Sequence, residues 1–299
     1  MTRYCNNGLL KTIFLAVLLG SSTQRALSAD DSIVFDLDYD YREFVYWLKQ
    51  ASDKKRIPGA ALAIVSREGI MYLQTWGLSD VANQERVTND SVFRIASMSK
   101  TFAGAAAALL IEKDLQSWDT KIGDVFPDLQ IGNKPVSRDI TLKHVVSHST
   151  GLMPHSYSNM LDDGVVYEKI RNKFHQIPTV CSPGECYGYQ NVIFSLIADV
   201  VENSTDISYE EFLSEEIFKP LGMTTASVGM DAFVNDPNAT EPHRMVRGNW
   251  RTTTTNPAYY SVAPASGINA SIFDMTMWLR ANLGAFPDVM SPLFLSNLH

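Results

Sequence analysis

Ser97, Met98, Ser99 and Lys100 stand in a row at the start of what reads as the most apolar helix of this 299-residue chain. A serine hydroxyl is a weak nucleophile until a base takes its proton. A lysine amine can do so only if its pKa falls from ~10.4 toward neutrality, and a drop of ~3 units needs about 4 kcal/mol of differential environment. Burial supplies such a drop, because low dielectric disfavours the ammonium form. Spacing of three puts Ser97 and Lys100 on one helix face. First-turn N–H groups lack intrahelical partners, so the Ser97 N–H is placed to hold an oxyanion. One helix start is therefore expected to supply a nucleophile, its base and half an oxyanion hole.

The Ser-x-x-Lys pattern alone should arise about once by chance in a chain this long. Ser52-Asp53-Lys54-Lys55 is indeed a second match. It lies at a charged helix end, where a lysine stays solvated and protonated, so context selects Ser97. A further partner is expected from far along the chain, and Tyr189-Gln190-Asn191 is the candidate. It follows the Pro183-Gly184 turn and opens the apolar run NVIFSLIADVVE. A phenol beside a lysine can relay a proton, and an Asn amide can orient both the lysine and a substrate carbonyl. Tyr157-Ser158-Asn159 shares the spacing but has no apolar helix after it, and Tyr4-Cys5-Asn6 lies in the N-terminal leader. His144 and His148 share a helix face, yet no Glu stands between them and no third ligand is in view. They read as core or capping histidines rather than metal ligands.

The elements that must hold these residues follow from periodicity. Phe44, Trp47, Leu48 and Ala51 recur at helical spacing over Tyr41 to Lys54. Ala60 to Ser66 and Ile70 to Trp76, joined at Glu68-Gly69, read as a β-hairpin. Ser97 to Lys113 is apolar almost all round, which places that helix in the interior. Thr141 to Ser149 is a short helix stopped by Gly151. Asn191 to Glu202 is another helix. Ser208 to Phe218 has Ser208 as N-cap with Glu211 three residues on, the pattern of a capping box. Residues 233–256 read as loop or short strands. The last helix spans Ser271 to Leu283, with Ile272, Met275, Trp278 and Leu279 on one side. Two early strands followed by many helices point to α+β or α/β architecture.

Composition narrows the classes. With 45% hydrophobic and 19% charged residues, the chain is ordinary globular protein rather than a disordered, collagen-like or coiled-coil one. Its net charge of -8, with basic density only at Lys54, Lys55 and Arg56, which read as a solvated helix end, argues against a nucleic-acid partner. GxSxG, Walker, GxGxxG and HExxH motifs are absent. Arg3 and Lys11 precede a short apolar core from Thr12 to Gly20, and Ala26-Leu27-Ser28-Ala29 ends the leader. That core is too short for a bilayer span of ~20 residues. It describes a signal peptide over residues 1–29, cleaved after Ser28 or Ala29, and predicts a periplasmic or secreted mature protein without a stable membrane span. In that oxidising setting Cys181 and Cys186 flank Ser182-Pro183-Gly184-Glu185, a turn able to bring them into a disulfide.

RIASMSKTF around Ser97, ITLKHVVSHSTGL, PGECYGYQN before an apolar helix, EEIFKPLGM and PASGINASIFDMTMWL occur in one order. Through them the chain, from about Tyr41 to its end, resembles the serine β-lactamase and penicillin-binding superfamily, closest to class C β-lactamases and the related carboxypeptidases and esterases. The resemblance implies an antiparallel sheet flanked by helices plus a helical region. It implies roles for Ser97 as acylated nucleophile, Lys100 as base, Tyr189 as base and then acid to the leaving group, and Asn191 as contact to the substrate amide. It implies a β-lactam, D-alanyl peptide or ester substrate and no metal or organic cofactor. One motif departs. The superfamily's Lys-or-His, any residue, Gly strand should follow the last landmark, yet the sequence ends at Ser291 to His299 without it, and His148-Ser149-Thr150-Gly151 belongs to the middle segment. That strand would supply a second oxyanion N–H, a cation for a substrate carboxylate, and partners for the hairpin sheet. The expectation is a hydrolase domain over 30–299 that is C-terminally incomplete, or a non-catalytic homologue that only binds.

Overall fold

The computed structural model describes residues 33–34 and 39–298. The leader over 1–29, with its cleavage site, lies outside them. Strand β1 (Ile33–Val34), β2 (Gly59–Val65), β3 (Ile70–Asp80) and β4 (Glu85–Arg86) form an antiparallel sheet in which β3 pairs with all three others. The expected hairpin is β2–β3, in register Ala60↔Trp76 and Leu62↔Gln74. Its turn is held by Ser66, whose Oγ accepts the N–H groups of Glu68 and Gly69. Strand β3 runs four residues beyond the expected end because Gly77, at φ 78, lets the backbone pass close to Pro58; a Cβ there would sit 2.2 Å from the Pro58 carbonyl.

Strand β5 (Val92–Arg94), β6 (Ser227–Val228) and β9 (Ile268–Ser271) make a second small sheet with β9 in the centre. Strands β7 (His243–Val246) and β8 (Asn249–Thr252) form a hairpin inside the segment read as loop or short strands. The architecture is α+β, with antiparallel sheets and a helical region, as the sequence implies.

The central helix, Ser99–Glu112, buries Ser99 and every residue from Phe102 to Leu110. Its alanines let neighbours come close from several sides. The Leu196–Thr205 helix, the short Ala263–Ser266 helix and the Pro292–Leu298 helix all lie against it. Gly104 faces Leu298, which a Cβ would meet at 3.6 Å. Sequence periodicity did not mark the Pro292–Leu298 helix, in which Phe294 is buried.

Three helices differ from their expected form. Over Tyr39–Lys55 the inward side is Val45, Leu48 and Ser52, so Phe44 and Trp47 are exposed, at 46% and 62%. The helix meets the sheet at its C-terminal end, where Trp76 donates to Ser52 Oγ at 3.0 Å, and that contact sets the facing stripe. Residues 192–195 form turns, and the α-helix expected from Asn191 begins at Leu196. Ser208 caps its helix through the Glu211 N–H, but the α-helix stops at Leu213 and widens into a π-helical stretch over Ser214–Phe218. The Ile272–Asn282 helix does carry a full capping box, Ser271 with Asp274. It buries Met275 and Trp278 while Leu279 is exposed at 45%, one step round from the buried face.

Candidate active site

Ser97 lies in a 3-10 turn, Ala96–Met98, which joins β5 to the central helix. The chain turns sharply there: Ala96 takes the left-handed conformation at φ 49, which an alanine adopts only under constraint from its surroundings. Strand β9 supplies the constraint. Arg94 pairs with Asn269, the Ile95 N–H donates to the Ile268 carbonyl at 3.1 Å, and the Ile268 N–H donates to the fully buried Ser99 Oγ at 3.0 Å. The nucleophile candidate is thus fixed from both sides while its hydroxyl stays exposed. Ser97 stands just ahead of the α-helix rather than within it. A 3-10 turn also superposes residues three apart, so Lys100 still comes round beside it.

Lys100 Nζ donates to Asn191 Oδ1 at 2.8 Å, to the Ala265 carbonyl at 2.9 Å and to Ser97 Oγ at 3.4 Å. The three acceptors are neutral oxygens. The amine also lies over the Tyr189 ring at 4.6 Å and the Phe194 ring at 5.4 Å. These faces favour the ammonium form, yet burial outweighs them and brings the Lys100 pKa down to about 8.

Tyr189 Oη is 2.8 Å from Ser97 Oγ. The loop that delivers it is closed by the Cys181–Cys186 disulfide, with Cα atoms 6.4 Å apart. Between the cysteines Glu185 N–H donates to the Ser182 carbonyl, and Gly184 takes φ 87, as the second central residue of a type II turn requires. The loop is laced to the segment after the Leu142–Val146 helix. Gly184 N–H donates to Ser149 O at 2.7 Å, Val180 N–H to Gly151 O at 2.8 Å, and Gly188 N–H to His148 O at 2.7 Å. Gly151 is required at this crossing, since a Cβ would lie 2.3 Å from the Cys181 carbonyl.

The four expected site residues, Ser97, Lys100, Tyr189 and Asn191, come together. The chance matches do not join them. Ser52 is buried beneath its helix and bonded to Trp76, and Tyr157 Oη donates to the Lys173 carbonyl at 3.0 Å. His144 caps its own helix with Thr141. His148 stands against the Tyr189 ring, 4.7 Å between centroids. The Ala265 carbonyl and His148 are the members that sequence reasoning did not assign. A backbone acceptor has no residue signature, and the spacing of His148 from His144 points only to a ligand, core or capping residue. Among the described residues no group of three or more His, Cys, Asp or Glu is arranged to hold a metal ion.

A family model for beta-lactamase matches residues 44–292. The chain belongs to the beta-lactamase family. An unguisins hydrolase of Aspergillus campestris is 26% identical over 272 residues, covering 86% of this chain and 49% of that protein. A beta-lactamase of Escherichia coli is 25% identical over 236 residues, covering 77% of this chain and 58% of its own length. This beta-lactamase-family chain therefore spans about half the length of the curated relatives it matches. The octameric penicillin-binding protein homologue from Pyrococcus abyssi superposes with a TM-score of 0.75 at 20% identity, over 86% of this chain and 59% of that one. That likeness shows a shared fold.

Proposed function

We propose that this protein is an acyl-serine hydrolase acting on β-lactams or D-alanyl peptides. One observation supports this above the others: Ser97 Oγ has Tyr189 Oη at 2.8 Å and a lysine of lowered pKa at 3.4 Å. In this reading Lys100, once uncharged, takes the Ser97 proton directly or through Tyr189. Oγ then attacks the substrate carbonyl carbon, and the Ser97 N–H faces the oxygen that becomes negative. Tyr189 returns the proton to the leaving nitrogen as the carbon–nitrogen bond breaks, which leaves an ester on Ser97. Water, deprotonated by the same pair, releases the acyl group and restores the serine. Asn191 holds Lys100 through Oδ1, so its amide nitrogen is the part available to a substrate carbonyl. The disulfide, together with the leader sequence, supports a periplasmic or secreted location.

A fluorescent penicillin, nitrocefin and p-nitrophenyl acetate test the proposal together. A stable adduct at Ser97 marks penicillin binding, fast nitrocefin turnover marks a β-lactamase, and ester turnover alone marks an esterase. Ser97→Ala should lose adduct and turnover by about 10³-fold or more, while Ser52→Ala keeps both. An adduct that survives Ser97→Ala, or an intact protein inert to all three probes, overturns the reading and leaves a protein that only binds.

A further inference from the structure

His148 contributes no atom to the proton path, yet it holds both neighbours of Tyr189 and lies against its ring. It follows the Leu142–Val146 helix in the left-handed conformation, φ 56, and is 9% exposed. Its carbonyl accepts the Gly188 N–H at 2.7 Å. Its ring Nδ1 accepts the Gln190 N–H at 3.4 Å. The peptide N–H groups on either side of Tyr189 are therefore both tied to one residue. The imidazole also lies against the phenol ring, with Phe194 5.0 Å away on its own account. The Tyr189 carbonyl is held in turn by the His155 N–H at 2.9 Å.

We infer that His148 is the positioning residue that aims the Tyr189 phenol at Ser97, through its Nδ1 acceptor to Gln190 and its ring against Tyr189. This rests on the reading of Tyr189 as the proton relay. The clamp requires Nδ1 to be unprotonated, which puts the ring hydrogen on Nε2. Burial, and then the charge of Lys100, bring the His148 pKa down to about 4, so the acceptor survives at neutral pH. Protonation would turn Nδ1 into a second donor facing the Gln190 N–H. Packing alone needs a side chain of this bulk; the clamp needs an acceptor at one point.

Two amide substitutions separate these cases. His148→Asn sets an oxygen where Nδ1 was, and Asn tolerates the left-handed backbone. His148→Gln keeps more bulk but carries its oxygen one bond too far. With p-nitrophenyl acetate in stopped flow, His148→Gln should slow the acylation burst by about 10²-fold, the effect of ~1 Å misplacement. KM should stay unchanged, and His148→Asn should recover most of the burst rate at matched thermal midpoints. Crystal structures read the same point without turnover: the phenol leaves Ser97 in His148→Gln and stays within hydrogen-bond reach in His148→Asn. A Gln variant with the wild-type burst and an unmoved phenol would falsify the inference. So would an Asn variant as slow as the Gln one, and that comparison stands on His148→Asn and wild type alone if the Gln variant does not fold. A wild type without a burst, whose phenol nonetheless moves as stated, leaves the clamp in place and removes only the hydrolase reading.

Discussion

The floor beneath Ser97 and the sheet face beneath the Tyr39–Lys55 helix are built in opposite ways. Under the nucleophile, Ser99, Phe102, Ala265, Ile268 and Asn269 are all buried, and their polar atoms are paired. Asn269 alone accepts from Tyr260 Oη at 2.7 Å and donates to Ser227 Oγ and the Gly229 carbonyl. Strand β2 has no buried residue, and the Tyr39–Lys55 helix, which meets β3 at Trp76, buries Ser52 and exposes Tyr41, Phe44, Tyr46 and Trp47. The fold concentrates its constraint under the nucleophile. The left-handed Ala96 and the half-buried Lys100 both cost free energy, and only a tightly packed surround holds them in place. The aromatic helix face bears no such burden.

The largest blow to the first region is Phe102→Ala. The ring is fully buried, stacked on Trp278 at 4.0 Å and edge-on to Phe218 at 5.8 Å, two residues past the Lys100 that completes the site. Truncation should cost about 3–5 kcal/mol in urea unfolding, from lost transfer energy plus the cavity left behind. A loss under ~1 kcal/mol would mean that the site floor relaxes freely, and the contrast between the regions would fail.

A somewhat smaller effect comes from protons. If uncharged Lys100 is the base, the acylation rate should climb about tenfold per pH unit and level off near pH 8. A flat profile between pH 6 and 8 would assign the proton to another group. Stability gives an independent sign. The folded pKa lies below the ordinary 10.5, so between about 8 and 10.5 the unfolded chain binds the extra proton. Stability then rises with pH in that window. Wild type should therefore gain on Lys100→Met from pH 8 to 10.5 and hold a constant difference below 8, as denaturant midpoints at pH 7 and 10 would show.

Much of this was legible in the chain because local pattern and tertiary demand agree. The alanine-rich run after Ser97 reads as an interior helix and Pro183-Gly184 favours a turn, so Ser97, Lys100, Tyr189 and a possible Cys181–Cys186 disulfide were legible, with the family resemblance supplying their roles. Where the two part company the sequence misleads. NVIFSLIADVVE has helical period throughout, but Asn191 is drawn toward Lys100, and the first four residues after it stay in turns. Phe44 and Trp47 look like core by spacing, yet the side that meets the sheet carries Ser52, bonded to Trp76 24 residues away. The Ala265 carbonyl is the hardest case, since any residue carries one and only the fold decides which carbonyl meets the amine.

The smallest effect belongs to the second region. Trp47→Ala removes a large ring that is 62% exposed and touches Phe44 at 6.2 Å between centroids. Surface changes of this kind normally stay within about 0.5 kcal/mol. Alanine is also the better helix former, by up to ~0.7 kcal/mol, which offsets the lost ring contact. The variant should unfold at the wild-type urea midpoint and label with penicillin at the wild-type rate. A loss near that of Phe102→Ala would mean that this face is covered in solution. If the loss then shrank on dilution, the cover would be another copy of the chain, since only an association equilibrium makes stability depend on concentration. The contrast between a packed site floor and an open aromatic face would then describe the isolated chain but not the dissolved protein.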